Sequence, residues 1–337
     1  MRSRNWSAVF AAVLAAAGVA ACGASQPGAA PVPAEVSKAE LAKVTLKVGD
    51  QKGGAKSLLT AAGLLADVPY KIEWSTFTSG PPLLEAASAN AIDVGRVGNT
   101  PPIFAAGAHA KIAAVGVAKG PVEDDAILVP SDSPLKTGAD LRGKTIGVAK
   151  GSSAHGQVLY SLRRAGLSTK DVKLSFLQPS EAYAAFNQHQ IDAWAVWDPY
   201  TAQAQLETHA RALVDGRGVA NGYVFDVAGK EALADPGRNT ALRDYVTRVA
   251  KARLWANTHR AEWAKAWAAE TGLKPEVAAA AAERGVELPV PLDDAVTRSE
   301  QELADAFSDD KILPGKVDFA ALVDKRYAEA LAAVGNP

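Results

Sequence analysis

The chain has 337 residues, of which 36 are Lys or Arg and 37 are Asp or Glu, for a formal net charge of −1. That length supports two domains with cores of their own, and a balanced charge without a basic run or stripe argues against a nucleic-acid partner. Cys22 is the only cysteine, so no internal disulfide can form.

Arg2 and Arg4 precede an apolar, Ala-rich stretch over residues 8–21, too short for a comfortable transmembrane helix. It ends in Val19-Ala20-Ala21-Cys22-Gly23. This layout predicts a signal peptide over residues 1–22. The segment resembles a bacterial lipoprotein lipobox, which implies lipidation of Cys22 and anchoring at the outer face of the cell membrane. The alternative is an ordinary cleaved signal with an incidental cysteine. Residues 23–40 carry Pro27, Gly28, Pro31 and Pro33 among small residues and read as a flexible tether. Either way, the mature protein is expected outside the cytoplasm.

From residue 44 onward, short strands alternate with helices. The pattern predicts strands over 44–48, 71–77, 92–97 and 111–118, with helices over 55–66, 81–90 and 101–107. A second run predicts strands over 126–129, 145–148, 173–177 and 191–196, with a short capped turn at 137–141 and helices between. Residues 223–228 read as a last strand. Beyond them the chain is helical, with Tyr245, Trp263 and Trp267 at helical spacing and expected in the core. Alternation of this kind implies an α/β fold with mostly parallel sheets and helices on both faces. An internal echo supports two similar halves. Ile92-Asp93 leads to Asn99-Thr100-Pro101, and Ile191-Asp192 leads to Asp198-Pro199; Asn99 stands six positions after Asp93, as Asp198 does after Asp192. Both halves aim a strand's carboxyl end and a helix beginning at a cleft edge, where open α/β sheets bind ligands.

The most informative stretch is A-K-G-S-S-A-H-G at 149–156. It joins a strand to a helix through small residues, so free backbone N–H groups and the positive helix end meet at one point. An anion is the natural guest. Ser152 and Ser153 can donate hydroxyls and His155 can donate from either ring nitrogen; simple capping by serine is the plainer reading. Ser79-Gly80-Pro81-Pro82 and Gly98-Asn99-Thr100-Pro101 are two further helix beginnings. In the turn after the first strand, Gln51 can hydrogen-bond a guest and Lys52 can attract one from a distance. Trp197 and Asp198 sit at a strand's cleft end, where the indole can pack on a tail. A deep acidic lining where these beginnings meet would contradict an anion site.

No catalytic residues and no metal ligands are assigned. The five histidines lack metal spacing, no G-x-S-x-G elbow is present, and Ser153 with His155 lacks an orienting third group. No cofactor is expected.

Residues 48–52, 79–85, 93–102, 133–134, 143–155 and 192–200 together resemble the aliphatic-sulfonate-binding proteins, receptors of ABC importers in a wider group that includes receptors for taurine, nitrate and thiamine precursors. The most specific pieces are G-K-T-I-G-V followed by K-G-S-S-A-H, and D-A-W-A-V-W-D-P-Y. The resemblance implies a two-lobed periplasmic-binding-protein-like fold of type II with a hinge, binding without catalysis. Lobe one is expected over 41–125 plus 223–337 and lobe two over 126–222. The resemblance places a sulfonate near Ser79, Gly80, Ser152, Ser153 and His155, with Gln51, Asn99 and Trp197 lining the pocket; Thr100 and Asp198 complete the expected ligand-binding set. It implies a monomer partnered by a small organic anion and a membrane permease. The chain departs from the family in its first loop, where Asp50 stands in place of a common aromatic. Two other readings are a receptor for nitrate, taurine, or a thiamine or aromatic precursor, and an enzyme on the same two-lobed scaffold.

Overall fold

The computed structural model describes residues 31–52 and 54–335. The expected signal segment with Cys22 lies outside the described residues, as do tether residues 23–30. After α1 (Lys38–Leu41), closed by a Ser37–Glu40 capping box, the chain runs β1 (Thr45–Gln51), α2 (Ala55–Ala61), β2 (Lys71–Phe77), α3 (Gly80–Ser88), β3 (Val94–Gly98), α4 (Thr100–Gly107) and β4 (Ile112–Lys119). It then enters a second group: β5 (Ala126–Val129), β6 (Thr145–Val148), α5 (Ser153–Arg164), β7 (Lys173–Phe176), α6 (Pro179–Asn187), β8 (Ala193–Val196), α7 (Tyr200–Glu207) and β9 (Arg211–Asp215). It returns through β10 (Tyr223–Gly229), α8 (Lys230–Ala234), α9 (Pro236–Thr258), α10 (Arg260–Thr271), α11 (Pro275–Arg284), β11 (Leu288–Pro289), α12 (Asp294–Asp309) and α13 (Ala328–Gly335).

Two sheets result, ordered β11-β4-β10-β3-β1-β2 and β7-β6-β8-β5-β9. The α/β class is as expected, but the sheets are mixed rather than mostly parallel. β10 runs antiparallel to β3 and β4, and β5 runs antiparallel to β8 and β9. These strands follow or precede the crossings between sheets, so they enter from the opposite end. Residues 223–228 are not the last strand either, because β11 pairs with β4. β9 has no counterpart in the sequence reading; none of its residues is fully buried, which blurs the apolar signal.

Each sheet is covered on both faces. Leu46 and Val48 of β1 pack under α2 and α9, while Leu83, Ile103 and Phe307 cover the other face from α3, α4 and α12. In the second sheet, Val158 and Leu162 of α5 oppose Ala182 and Phe186 of α6. Each such fully buried side chain contributes about 1.5–3 kcal/mol. The echo between the halves has a physical basis. Asp93 accepts from the Lys47 N–H at 2.8 Å and Asp192 from the Thr145 N–H at 2.7 Å. In each case a carboxylate before one strand ties down the start of its neighbour.

The chain crosses between sheets at 120–125 and again at 216–222, and the two crossings bond to each other. Gly120 N–H donates to Gly222 O at 2.9 Å and Gly216 N–H to Val122 O at 3.0 Å. A side chain at Gly216 would meet Val122 O at 2.1 Å, so glycine is required there for the backbones to approach.

Arg253 of α9 is 1 % exposed and holds both oxygens of Asp226 on β10 at 3.1 Å. Removing one partner of such a pair strands the other charge. Asp226→Ala is therefore expected to destabilise the fold by about 3–5 kcal/mol, measured by urea denaturation, and Asp226→Asn by less. An Asp226→Ala protein as stable as the wild type would contradict this role.

Candidate ligand-binding cleft

The crossings form the floor of a cleft between the two sheets, about 1130 Å³ including its open mouth. Gln51, Gly80, Asn99, Ser152, Ser153, Trp197 and Asp198 of the expected set line it. Ser79, Thr100 and His155 do not.

α5 supplies the donors. Ser152 caps the helix: its Oγ accepts from the His155 N–H at 3.4 Å and donates to Ala149 O at 2.7 Å. The N–H groups of Ser153 and Ala154 have no acceptor among the described residues. Gly151 makes the turn possible, with φ +75° and the Phe104 ring against its Cα. The other helix beginnings are weaker donors. Pro81 and Pro82 in α3, and Pro101 and Pro102 in α4, carry no N–H. α2 is already filled, because Asp50 accepts from the Gln51, Ala55 and Lys56 N–H groups at 2.9–3.0 Å.

The hydroxyl of Ser79 is spent across the cleft. It donates to Gln178 Oε1 at 2.9 Å, and Thr78 donates to the same oxygen. Thr100 Oγ1 donates to Asn99 Oδ1 at 3.0 Å, and Asn99 in turn donates to Asn221 Oδ1 at 2.9 Å. Asn221 completes the chain to the buried Glu300 at 2.7 Å. His155 is 1 % exposed within Phe104, Phe176 and Phe307. Its Nδ1 accepts from the Gly151 N–H at 3.1 Å, so only Nε2 can carry a proton in the neutral ring. Burial, with Lys150 nearby, pushes its pKa down to about 4. It holds the turn in place and does not donate into the cleft. Gln51 Nε2 donates to Arg96 O at 2.8 Å, and Lys52 lies 5.5 Å from the Tyr200 ring centroid.

Sequence reasoning missed Arg96, Asp124, Asp125, Trp263, Trp267 and Glu287, all of which line the cleft. A lone cation in the otherwise apolar or glycine run Val94–Gly98 was the available signal for Arg96. The lining thus carries Asp50, Asp124, Asp125, Asp198 and Glu287, the acidic feature expected to contradict an anion site, and an anion fits there only where those charges are cancelled. Arg96 pairs with Glu287, and Arg284 lies 3.3 Å from Asp198. Asp50 is satisfied by backbone donors. Asp124 and Asp125 meet no cation, and both shift toward the neutral acid. Burial, followed by Asp125 and Asp198, raises Asp124 well above the carboxylate range. Burial lifts Asp125 to about 7 against the Ser153 hydroxyl, which donates to it at 3.1 Å. Asp198 rises to about 6 by burial, opposed by Arg284. Among the described residues, no group of His, Cys, Asp and Glu could hold a metal ion.

Residues 38–272 match the model of the NMT1-like family. A protein of Escherichia coli (strain K12) named for aliphatic sulfonate binding is 35 % identical over 81 % of this chain and 86 % of its own length. The alkanesulfonate-binding protein of Xanthomonas axonopodis pv. citri bound to MOPS superposes with TM-score 0.76 at 35 % identity, covering 83 % of this chain and 98 % of that one. A desulfurization enzyme shares the fold at TM-score 0.64 and 18 % identity, over 87 % of this chain and 100 % of that one.

A carboxyl with a raised folded-state pKa keeps a proton that the unfolded chain releases near pH 3.9. Its stabilisation is complete below that pH and is lost as pH rises to about 7 for Asp125. Asp125→Asn, which mimics the neutral acid, should gain in urea midpoint relative to the wild type between pH 5 and pH 8. A gap that does not change with pH would contradict a neutral Asp125.

Proposed function

We propose that this chain, which belongs to the NMT1-like family and to the aliphatic-sulfonate-binding proteins, is the extracytoplasmic substrate-binding component of an ABC importer and captures a small organic sulfonate in its cleft. The observation that carries this reading is the start of α5. Two unbonded N–H groups lie together at the positive end of a twelve-residue helix, and the Ser153 hydroxyl beside them, which donates to Asp125, becomes available to a guest when a protonated Asp125 donates to Ser153 Oγ in its place. A sulfonate stays charged at every physiological pH. Fixed dipoles hold it without burying a counter-charge. Burial shifts Asp124 and Asp125 toward the neutral acid, which weakens the repulsion from the neighbouring wall.

In this reading the two sheets are the cores of two lobes, 41–125 plus 223–337 and 126–222, joined by the paired crossings. Gln178 bonding to Thr78 and Ser79 holds the lobes together over the guest, and binding shifts them from open to closed. The closed form then docks on a membrane permease. The leader ending at Cys22 would tether the protein to the outer face of the membrane. Binding rather than catalysis is favoured because the relatives at 35 % identity are named as binding proteins, whereas the likeness to the desulfurization enzyme reaches the fold alone.

Isothermal titration with propanesulfonate, sulfate, nitrate and propionate tests the class. Heat is expected with the sulfonate and none with the carboxylate. Ser153→Ala removes one charge-assisted hydrogen bond, valued at about 1.5–3 kcal/mol, so sulfonate affinity should fall about tenfold or more. No heat with any sulfonate, or unchanged affinity in the variant, would overturn this assignment.

A further inference from the structure

The cleft has a second wall, built from the turn after β1, α10, α11 and the segment before β11. α10 packs on both α2 and α11, which brings Trp263 and Trp267 to this wall beside Arg96 and Glu287. The two indoles are stacked, with centroids 5.0 Å apart and planes at 13°. They are 6 % and 5 % exposed, yet neither Nε1 has a partner among the described residues, and Arg96 Nε has none either. A buried donor left unpaired is costly, so three of them on one wall call for acceptors from the guest. Acceptors stand in the same cleft. Asp198 Oδ2, on a side chain 7 % exposed, lies near Arg284 without forming a hydrogen bond.

Each simple tail answers only part of this lining. An alkyl chain leaves every one of these groups unpaired. An ammonium suits the carboxylates and leaves the three N–H groups unpaired. A second anion suits the N–H groups but competes with Glu287 for Arg96 and meets Asp198 in the same cleft. A hydroxyl both donates and accepts, and the carbon skeleton of a polyol can lie on an indole.

We propose that the natural ligand is a hydroxylated sulfonate, a sulfonated polyol or sugar, whose head group sits at the start of α5 and whose hydroxyls bond Trp263, Trp267, Arg96 and Asp198. This rests on the sulfonate reading of the same cleft and adds the tail. The wall then sets specificity: hydroxyls fill donors that a plain alkyl chain would leave buried and unpaired.

The test is competition calorimetry on the full chain with four ligands of one carbon length: propanesulfonate, its dihydroxy analogue, its terminal amine and its terminal carboxylate. The dihydroxy compound should bind about tenfold tighter than propanesulfonate or better. In Trp263→Phe and Trp267→Phe, which keep an aromatic ring and lose the N–H, that preference should narrow several-fold. If either variant fails to fold, the wild-type ranking alone decides. Equal or tighter binding of propanesulfonate, or first rank for the amine or carboxylate, overturns the tail assignment and leaves the sulfonate reading intact. If none of the four binds, both fall.

Discussion

The rest of the molecule depends on how its cleft cancels charge. Two free N–H groups at the start of α5 can hold an anion only if the walls around them do not repel it. Yet the walls carry Asp50, Asp124, Asp125, Asp198 and Glu287. Each is handled differently. Asp50 is wrapped in backbone donors, Glu287 and Asp198 face arginines, and Asp124 and Asp125 on the first crossing move toward the neutral acid. Arg253 and Asp226 add a further buried pair between α9 and β10. The cleft is therefore polar without being strongly charged, a setting in which oriented dipoles hold an anion more strongly than they would in water.

The same arrangement ties binding to shape. Contacts between the halves are backbone-close: a Cβ at Gly98 would lie 2.9 Å from the Ser153 Cβ, and one at Gly156 would lie 2.4 Å from Thr100 Oγ1. The donors of α5 thus sit against the beginning of α4 from the other sheet. Lys52 over Tyr200, and Thr78 and Ser79 on Gln178, bridge the halves as well. None of these contacts survives a separation of the sheets, whereas the paired crossings can persist through it. A guest that touched both halves would add its own interactions only while the sheets stay together, so under the proposed hinge it would favour that arrangement.

The alternation of strands and helices was legible because it is written in local periodicity, and the strands at Ala126–Val129 and Thr145–Val148 fall where the pattern places them. The α5 turn was legible for the same reason, since glycine, serine cap and helix lie side by side in sequence. What each polar side chain bonds to was not. Ser79 has all the local marks of a donor at a helix beginning, but its acceptor is Gln178, 99 positions away. His155 follows the serine pair and was read as a donor to the guest. Three phenylalanines from separate elements bury it instead. Trp263 and Trp267 obey helical spacing and are buried as expected, but spacing alone could not say that the same rings face a cleft. Arg96 became visible only once the strands around it were placed.

One departure from the family pattern gains a physical account in this light. β1 carries Asp50 near its end, where an aromatic is common, and the small residues Gly53-Gly54-Ala55 follow it in sequence. A Cβ on Gly54 would lie 1.8 Å from Asp50 Oδ1. Any side chain at Gly54 would push the carboxylate off the start of α2 and leave it bare beside the guest. Small residues and aspartate therefore belong together, and the space an aromatic would fill stays open. Asp50 supplies the helix start with its own anion, so α2 does not compete with α5 for the guest. The wall beyond it presents Arg96 and the paired indoles, whose N–H groups lack partners among the described residues, to the same cleft.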